Sequence, residues 1–146
     1  MKHLLRELLE RPIAELGEAK RAIHCEPELS LSNAIATLQA SNIGSLVVVE
    51  GTKVVGIFTE RDVLMKCSLH DIPWSTAKVS NYMTPRPVCV QRFETIGNVL
   101  IKMKEGKFRH IIIVDSYGNL EKVVSIREIM IFILDVFFEP DPPSEL

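Results

Sequence analysis

Gly56-Ile57-Phe58-Thr59-Glu60-Arg61-Asp62-Val63-Leu64 is matched 66 residues later by Lys122-Val123-Val124-Ser125-Ile126-Arg127-Glu128-Ile129-Met130. Each stretch runs from apolar residues into a hydroxyl, then a basic side chain two positions on and a carboxylate three positions on. That order marks the handover from a strand to a helix. Upstream the match continues at a shift of 65, with residues 21–49 lying over 86–114. Arg21, Asn33 and Val49 recur as Arg86, Asn98 and Val114. Ser30 before Leu31, Ala34, Ile35 and Leu38 becomes Thr95 before Ile96, Val99, Leu100 and Met103. Both are hydroxyl caps ahead of an apolar stripe at helical spacing. Leu46-Val47-Val48-Val49 becomes Ile111-Ile112-Ile113-Val114, a short run that reads as a buried strand. The chain contains two copies of one unit.

Each copy reads as short strand, helix, strand, turn, strand, helix; in the first these fall near 22–25, 31–41, 46–49, 54–58 and 60–67. Glu50-Gly51-Thr52-Lys53 and Asp115-Ser116-Tyr117-Gly118-Asn119 are rich in turn formers and read as hairpin connections. The fold class is α+β. The chain divides into an N-terminal amphipathic helix (1–20), a first unit (21–75), a second unit (76–138) and a frayed tail (139–146). In the first helix Leu4, Leu5, Leu8 and Leu9 share a face, and Pro12 interrupts it. Ser68 to Lys78 joins the units as an ordered strap. A unit this small cannot build a good core alone, so the two are expected to share one hydrophobic interior.

Composition narrows the function classes. With 47% hydrophobic and 25% charged residues the chain has ample apolar surface to fold, which excludes a disordered chain. A net charge of −2 gives no basic surplus for nucleic acid. No secretory signal is visible, and the apolar run Ile129 to Phe138, broken by Asp135, is too short for a bilayer span. Cys25, Cys67 and Cys89 read as free thiols, and the expected location is the cytoplasm.

Together these residues resemble the CBS domain, the module named after cystathionine β-synthase. The resemblance rests on Asn42-Ile43-Gly44-Ser45-Leu46-Val47-Val48-Val49 with Gly56 to Asp62 in the first copy. In the second it rests on Tyr82-Met83-Thr84-Pro85-Arg86-Pro87-Val88, Phe108-Arg109-His110-Ile111-Ile112-Ile113-Val114-Asp115 and Val124 to Glu128. It covers roughly residues 20–138. It implies a tandem pair, or Bateman module, of two β-α-β-β-α motifs packed about a pseudo-twofold axis, with two clefts that take adenosine ligands. AMP, ADP or ATP is the implied ligand class, with S-adenosylmethionine a further member. The resemblance also implies a homodimer packed through the CBS helices and a regulated partner of unknown identity, with no membrane or nucleic acid involved and no cofactor required.

The residues support that chemistry on their own terms. Thr59 and Asp62 lie together at the start of a helix, where a carboxylate accepts two adjacent hydrogen bonds and so suits the paired hydroxyls of a ribose. The helix start also offers free N–H groups to phosphate. Adenine would slot between Ile57, Val88 and Phe108, with Val123 the counterpart of Ile57. Gly44 is small enough to let a ligand approach, whereas Arg109 and His110 stand at the matching positions of the second copy and suit phosphate oxygens. The family geometry implies that Arg109 lies near both clefts. It also adds Thr84, Ile23 and Ile43 as contacts. Ser125 and Glu128 are the second copy's version of Thr59 and Asp62, with an extra methylene that displaces the carboxylate.

A second reading stays open. Hydroxyl and carboxylate three apart is also the capping box, which satisfies helix N–H groups and needs no ligand, and Ser125-x-x-Glu128 fits it better than Thr59-x-x-Asp62. The alternative function is therefore an interaction scaffold with vestigial clefts, for which the apolar helix Ile129 to Phe138 supplies packing surface. An enzyme is not expected. Ser75-Thr76-Ala77-Lys78 matches an S-x-x-K pattern without its companion motifs, and His3, His24, His70 and His110 show no metal spacing.

Overall fold

The computed structural model describes residues 2–16, 22–41, 44–67 and 71–138. Ile43, the first residues of the strap and the tail from 139 lie outside them. The chain order is α1 (Lys2–Leu9), β1 (His24–Cys25), α2 (Leu31–Ser41), β2 (Ser45–Glu50), β3 (Lys53–Thr59), α3 (Glu60–Asp62), β4 (Thr84–Pro85), β5 (Cys89–Val90), α4 (Ile96–Gly106), β6 (His110–Val114), β7 (Leu120–Ser125) and α5 (Ile126–Phe138). The helix expected over 60–67 is α-helical only to Asp62 and opens into a π-helical turn over Val63–Cys67.

β1 and β2 pair parallel, β2 and β3 antiparallel, and β4 adds antiparallel to β3. The second sheet repeats the pattern, β5 parallel to β6 and β6 antiparallel to β7. The continuous apolar runs at the centre of each sheet are buried on both faces, as their lack of alternation requires. Leu46 and Val48 point into one cluster with Leu31, Ala34, Leu38 and Phe58. Ile111 and Ile113 point into another with Ile96, Val99, Met103 and Ile129. The opposite faces meet in a seam of Val47, Val49, Ile57 and Ile112. The expected single interior is thus two cores and a narrow seam between the sheets.

Each core is completed by residues that lead into the matched stretch of the other copy, which begins at 21 in the first and at 86 in the second. Ile13 and Leu16 are buried in the second core, and Ile72 and Val79 in the first. The exchange is written in backbone bonds. The Ala77 and Arg11 carbonyls accept the amides of Leu31 and Ile96, the first residues of α2 and α4, at 2.7 and 3.0 Å. The amides of Val79 and Ile13 in turn donate to the carbonyls of Leu29 and Glu94 at 2.8 and 2.7 Å. These segments supply acceptors for helix N–H groups that otherwise lack partners. The repeat therefore reaches back to Arg11 and Ala77, ahead of the position where residue classes first agree. Helix α1 stops at Leu9 because the chain must turn at Pro12 to deliver Ile13; Leu8 is buried, while Leu4 and Leu5 remain exposed.

The two hairpin turns dock on each other. Thr52 Oγ1 donates to Asn119 Oδ1 at 2.6 Å, the Leu120 amide donates to the Thr52 carbonyl at 3.0 Å, and Lys53 Nζ donates to the Tyr117 carbonyl. Asp115 organises its turn by accepting from the amides of Tyr117 and Asn119 at 2.9 Å each. No helix among the described residues is long and apolar enough to cross a membrane.

Candidate functional site

Thr59 caps α3 with extended backbone, and the capping box is closed. The Asp62 amide donates to Thr59 Oγ1 at 3.3 Å, while Asp62 Oδ2 accepts from the Thr59 amide at 2.9 Å and its hydroxyl at 3.2 Å. The other oxygen looks across to the second unit. Asp62 Oδ1 accepts from Thr84 Oγ1 at 2.9 Å and from Lys66 Nζ at 2.9 Å. Asp62 is only 6% exposed. A carboxylate offers about four lone-pair positions, and each is met here by a donor of the chain itself.

Lys66 has the three donors of an ammonium, and all are used. Besides Asp62 it reaches the carbonyls of Tyr82 and Met83 at 3.0 and 3.1 Å. It therefore fastens the lead-in strand of the second motif to the helix of the first. Met83 lies over Gly56, where an added Cβ would stand 2.2 Å from its sulfur. Neither Lys66 nor Met83 is among the residues singled out from sequence. The signal for Lys66 was its place four residues after Asp62, the spacing of a helical ion pair.

In the second unit the Ser125 amide and hydroxyl face Glu128 Oε1 at 3.5 and 3.4 Å, and the Glu128 amide donates to Ser125 Oγ at 3.2 Å. The sequence makes this the better capping box; the structure reverses the order, because Asp62 is braced from its far side by Thr84 and Lys66. His110 pairs with Ser125 across the β6–β7 ladder, and the Ile126 amide donates to the Arg109 carbonyl at 2.8 Å. Arg109, His110, Ser125 and Glu128 thus share one end of the second sheet. Arg61 Nη1 donates to the Lys107 carbonyl at 2.9 Å, which holds the loop before Phe108 and Arg109 against α3. The Arg109 side chain is exposed.

The other residues divide. Ile57 is the register partner of Thr84 and lies with Val123 at the seam, so Ile57, Thr59, Asp62 and Thr84 come together. Phe108 packs on the second core, and an added Cβ at Gly106 would meet its ring at 2.3 Å. Val88 is 45% exposed. The three walls expected around an adenine therefore occupy a seam, a core and a surface. Ile23 lines an open groove along α2 with Leu29, Asn33 and Thr37. Gly44 takes a left-handed backbone (φ 74°), and its carbonyl accepts the Glu60 amide at 3.3 Å.

The three thiols are unpaired. Burial, with Glu26 beside it, pushes Cys25 up to about 11, and burial raises Cys67 and Cys89. Thiols held protonated are poor nucleophiles. Among the described residues no group of three His, Cys, Asp or Glu side chains is placed to hold a metal.

Comparison with known proteins finds one family twice on the chain. The CBS domain pattern matches residues 13–68 and again 79–135. An uncharacterized 17.7 kDa protein of Acidianus ambivalens is 36% identical over 112 residues, 76% of this chain and 66% of that protein. The CBS domain-containing protein CBSCBSPB3 of Arabidopsis thaliana is 30% identical over 103 residues, 70% of this chain but 18% of the relative. The chain thus spans just under two thirds of the first relative and less than a fifth of the second. Among solved structures, the CBS domain protein PAE2072 from Pyrobaculum aerophilum, complexed with AMP, superposes with a TM-score of 0.74 at 18% identity, covering 86% of this chain and 98% of its own. The CBS domain pair of protein MJ0100, in complex with 5′-methylthioadenosine and S-adenosyl-L-methionine, gives 0.68 at 24% identity, covering 78% of this chain and 92% of its own. At those identities the likeness shows the fold. Two family matches on one chain, on two units that exchange their leading segments, make this protein a member of the CBS domain family carrying a tandem pair.

Proposed function

We propose that this tandem pair is a non-catalytic sensor that binds an adenosine nucleotide of the AMP, ADP or ATP class at the junction of its two motifs, acts in the cytoplasm and modulates a partner protein. The observation that carries this reading is Asp62, a carboxylate buried where the two motifs meet and bonded to a hydroxyl from each. Ribose hydroxyls would take the places on Oδ1 now held by Thr84 and Lys66, while Oδ2 stays in the cap. Ile57 and Val123 supply apolar surface beside it, and Arg109 is free of the core and available to phosphate. The AMP complex of PAE2072 and the S-adenosylmethionine complex of MJ0100 support the ligand class. Ligand bound across the junction biases the packing of the halves by the difference in its affinity for their arrangements. Isothermal titration with AMP, ADP, ATP and S-adenosylmethionine tests this: saturable binding to at least one, lost in Asp62→Ala, is expected. Silence across the panel overturns it.

A second reading has its own observation. Leu64 and Met65 after α3 are 68% and 72% exposed, and their repeat counterparts Met130 and Ile131 on α5 are 55% and 45% exposed. Paired apolar patches at equivalent positions favour a homodimer packed through these helices. As a scaffold alone, the protein would show a melting temperature that depends on its own concentration and not on nucleotide.

A further inference from the structure

In this structure the place on Asp62 that the proposed nucleotide needs is held by the protein's own cation. Lys66 Nζ lies 2.9 Å from Asp62 Oδ1, and the same ammonium holds the Tyr82 and Met83 carbonyls. Its side chain is 40% exposed, against 8% for that of Asp62. Of the donors on this carboxylate, the Thr59 amide and hydroxyl belong to the cap, and Thr84, whose backbone is held in register with Ile57, yields its place only by turning its hydroxyl aside. Lys66 is the donor that leaves most cheaply, because its stem already reaches solvent and its other two bonds are to carbonyls.

We infer that Lys66 is an internal competitor for Asp62, which lowers the affinity of the cleft and ties its occupancy to the anchoring of residues 82–84. This rests on the nucleotide-binding reading above. A sugar hydroxyl that takes Oδ1 displaces the ammonium. The clip between α3 and the lead-in to the second motif then loses its charged acceptor and keeps two neutral carbonyls. The second unit carries Phe132 at the repeat position of Lys66, with the Arg11 guanidinium 5.0 Å from its ring centroid, so Lys66 has no counterpart at that position of the second unit.

The test uses adenosine, which has no phosphate, so that any attraction of Lys66 for phosphate is removed. Adenosine and AMP are titrated into the full chain and into Lys66→Met, Lys66→Gln and Lys66→Arg, with thermal melting to confirm that each variant is folded. Removal of the cation is expected to tighten adenosine binding by roughly three- to tenfold, the scale of a partly exposed ion pair. Lys66→Arg should stay near the original affinity. A gain in affinity is a readout that mere structural damage does not produce, and Lys66→Gln carries the test if Lys66→Met does not fold. Adenosine binding that is unchanged or weaker in both neutral variants overturns the competitor role and leaves the nucleotide reading standing. Flat titrations with adenosine and AMP for the original chain and every variant overturn both.

Discussion

Asp62 performs two tasks at once, and at the scale of single residues its substitutions separate them. Thr59→Ala removes a cap and is expected to cost about 1 kcal/mol. Asp62→Ala removes the same cap and strands Thr84 and Lys66, so a larger loss of about 1–3 kcal/mol is expected, discounted for the exposure of Lys66. Urea denaturation of the two variants measures the difference; equal losses would show that Thr84 and Lys66 gain nothing from the carboxylate. Gly56 and Met83 form a second pair. Gly56→Ala drives a methyl into the Met83 thioether and is expected to cost about 1–3 kcal/mol, with most of that cost relieved when Met83→Ala is made beside it. The Thr59 and Asp62 pair was legible because hydroxyl and carboxylate stood three apart after a strand. The contact with Thr84 was not, because no local pattern reaches across 22 residues, and Lys66 offered only its spacing of four from Asp62.

At the scale of elements, the repeat made the strands and helices readable, and the central runs show why. Leu46 to Val49 and Ile111 to Val114 carry no polar alternation, so burial on both faces was already implied. The segments around Ile13 and Val79 were hidden, since a single apolar residue after Pro12 or Lys78 has no period to detect. Ile13→Ala is expected to cost about 2–5 kcal/mol, and hydrogen exchange should place the loosening in α4 and β6 rather than in α2 and β2. Loosening of the first unit instead would contradict the exchange of segments. The Asp115 turn gives a pH test. Hydrogen bonds from Asn119 and Tyr117, helped by Lys53, hold its carboxyl below the usual carboxylate range against some desolvation. A depressed folded value means that its stabilisation is complete above the unfolded value of about 3.9 and is lost as pH falls through the folded one. The difference in urea midpoint between the original chain and Asp115→Ala should therefore be constant near neutrality and shrink below about pH 4. A difference that persists unchanged in acid would rule the turn carboxylate out.

The whole molecule is two units that cannot be separated cleanly, because each finishes the other's core and the sheets meet at Ile57 and Ile112. The proposed site lies on that dependence: Asp62 comes from the first unit, Thr84 leads into the second, and Arg61 ties α3 to the loop before Arg109. A ligand held there would touch both halves, as the proposed sensor requires. The central claim is that Asp62 grips a ribose diol, and it is tested most directly by calorimetric titration of AMP against 2′,3′-dideoxy-AMP, with the original chain and with Asp62→Ala. The account expects AMP to bind the original chain at least about tenfold more tightly than the dideoxy analogue, as loss of charge-assisted bonds implies, and expects the two to be equal in Asp62→Ala. Equal affinity for both nucleotides in the original chain would contradict it.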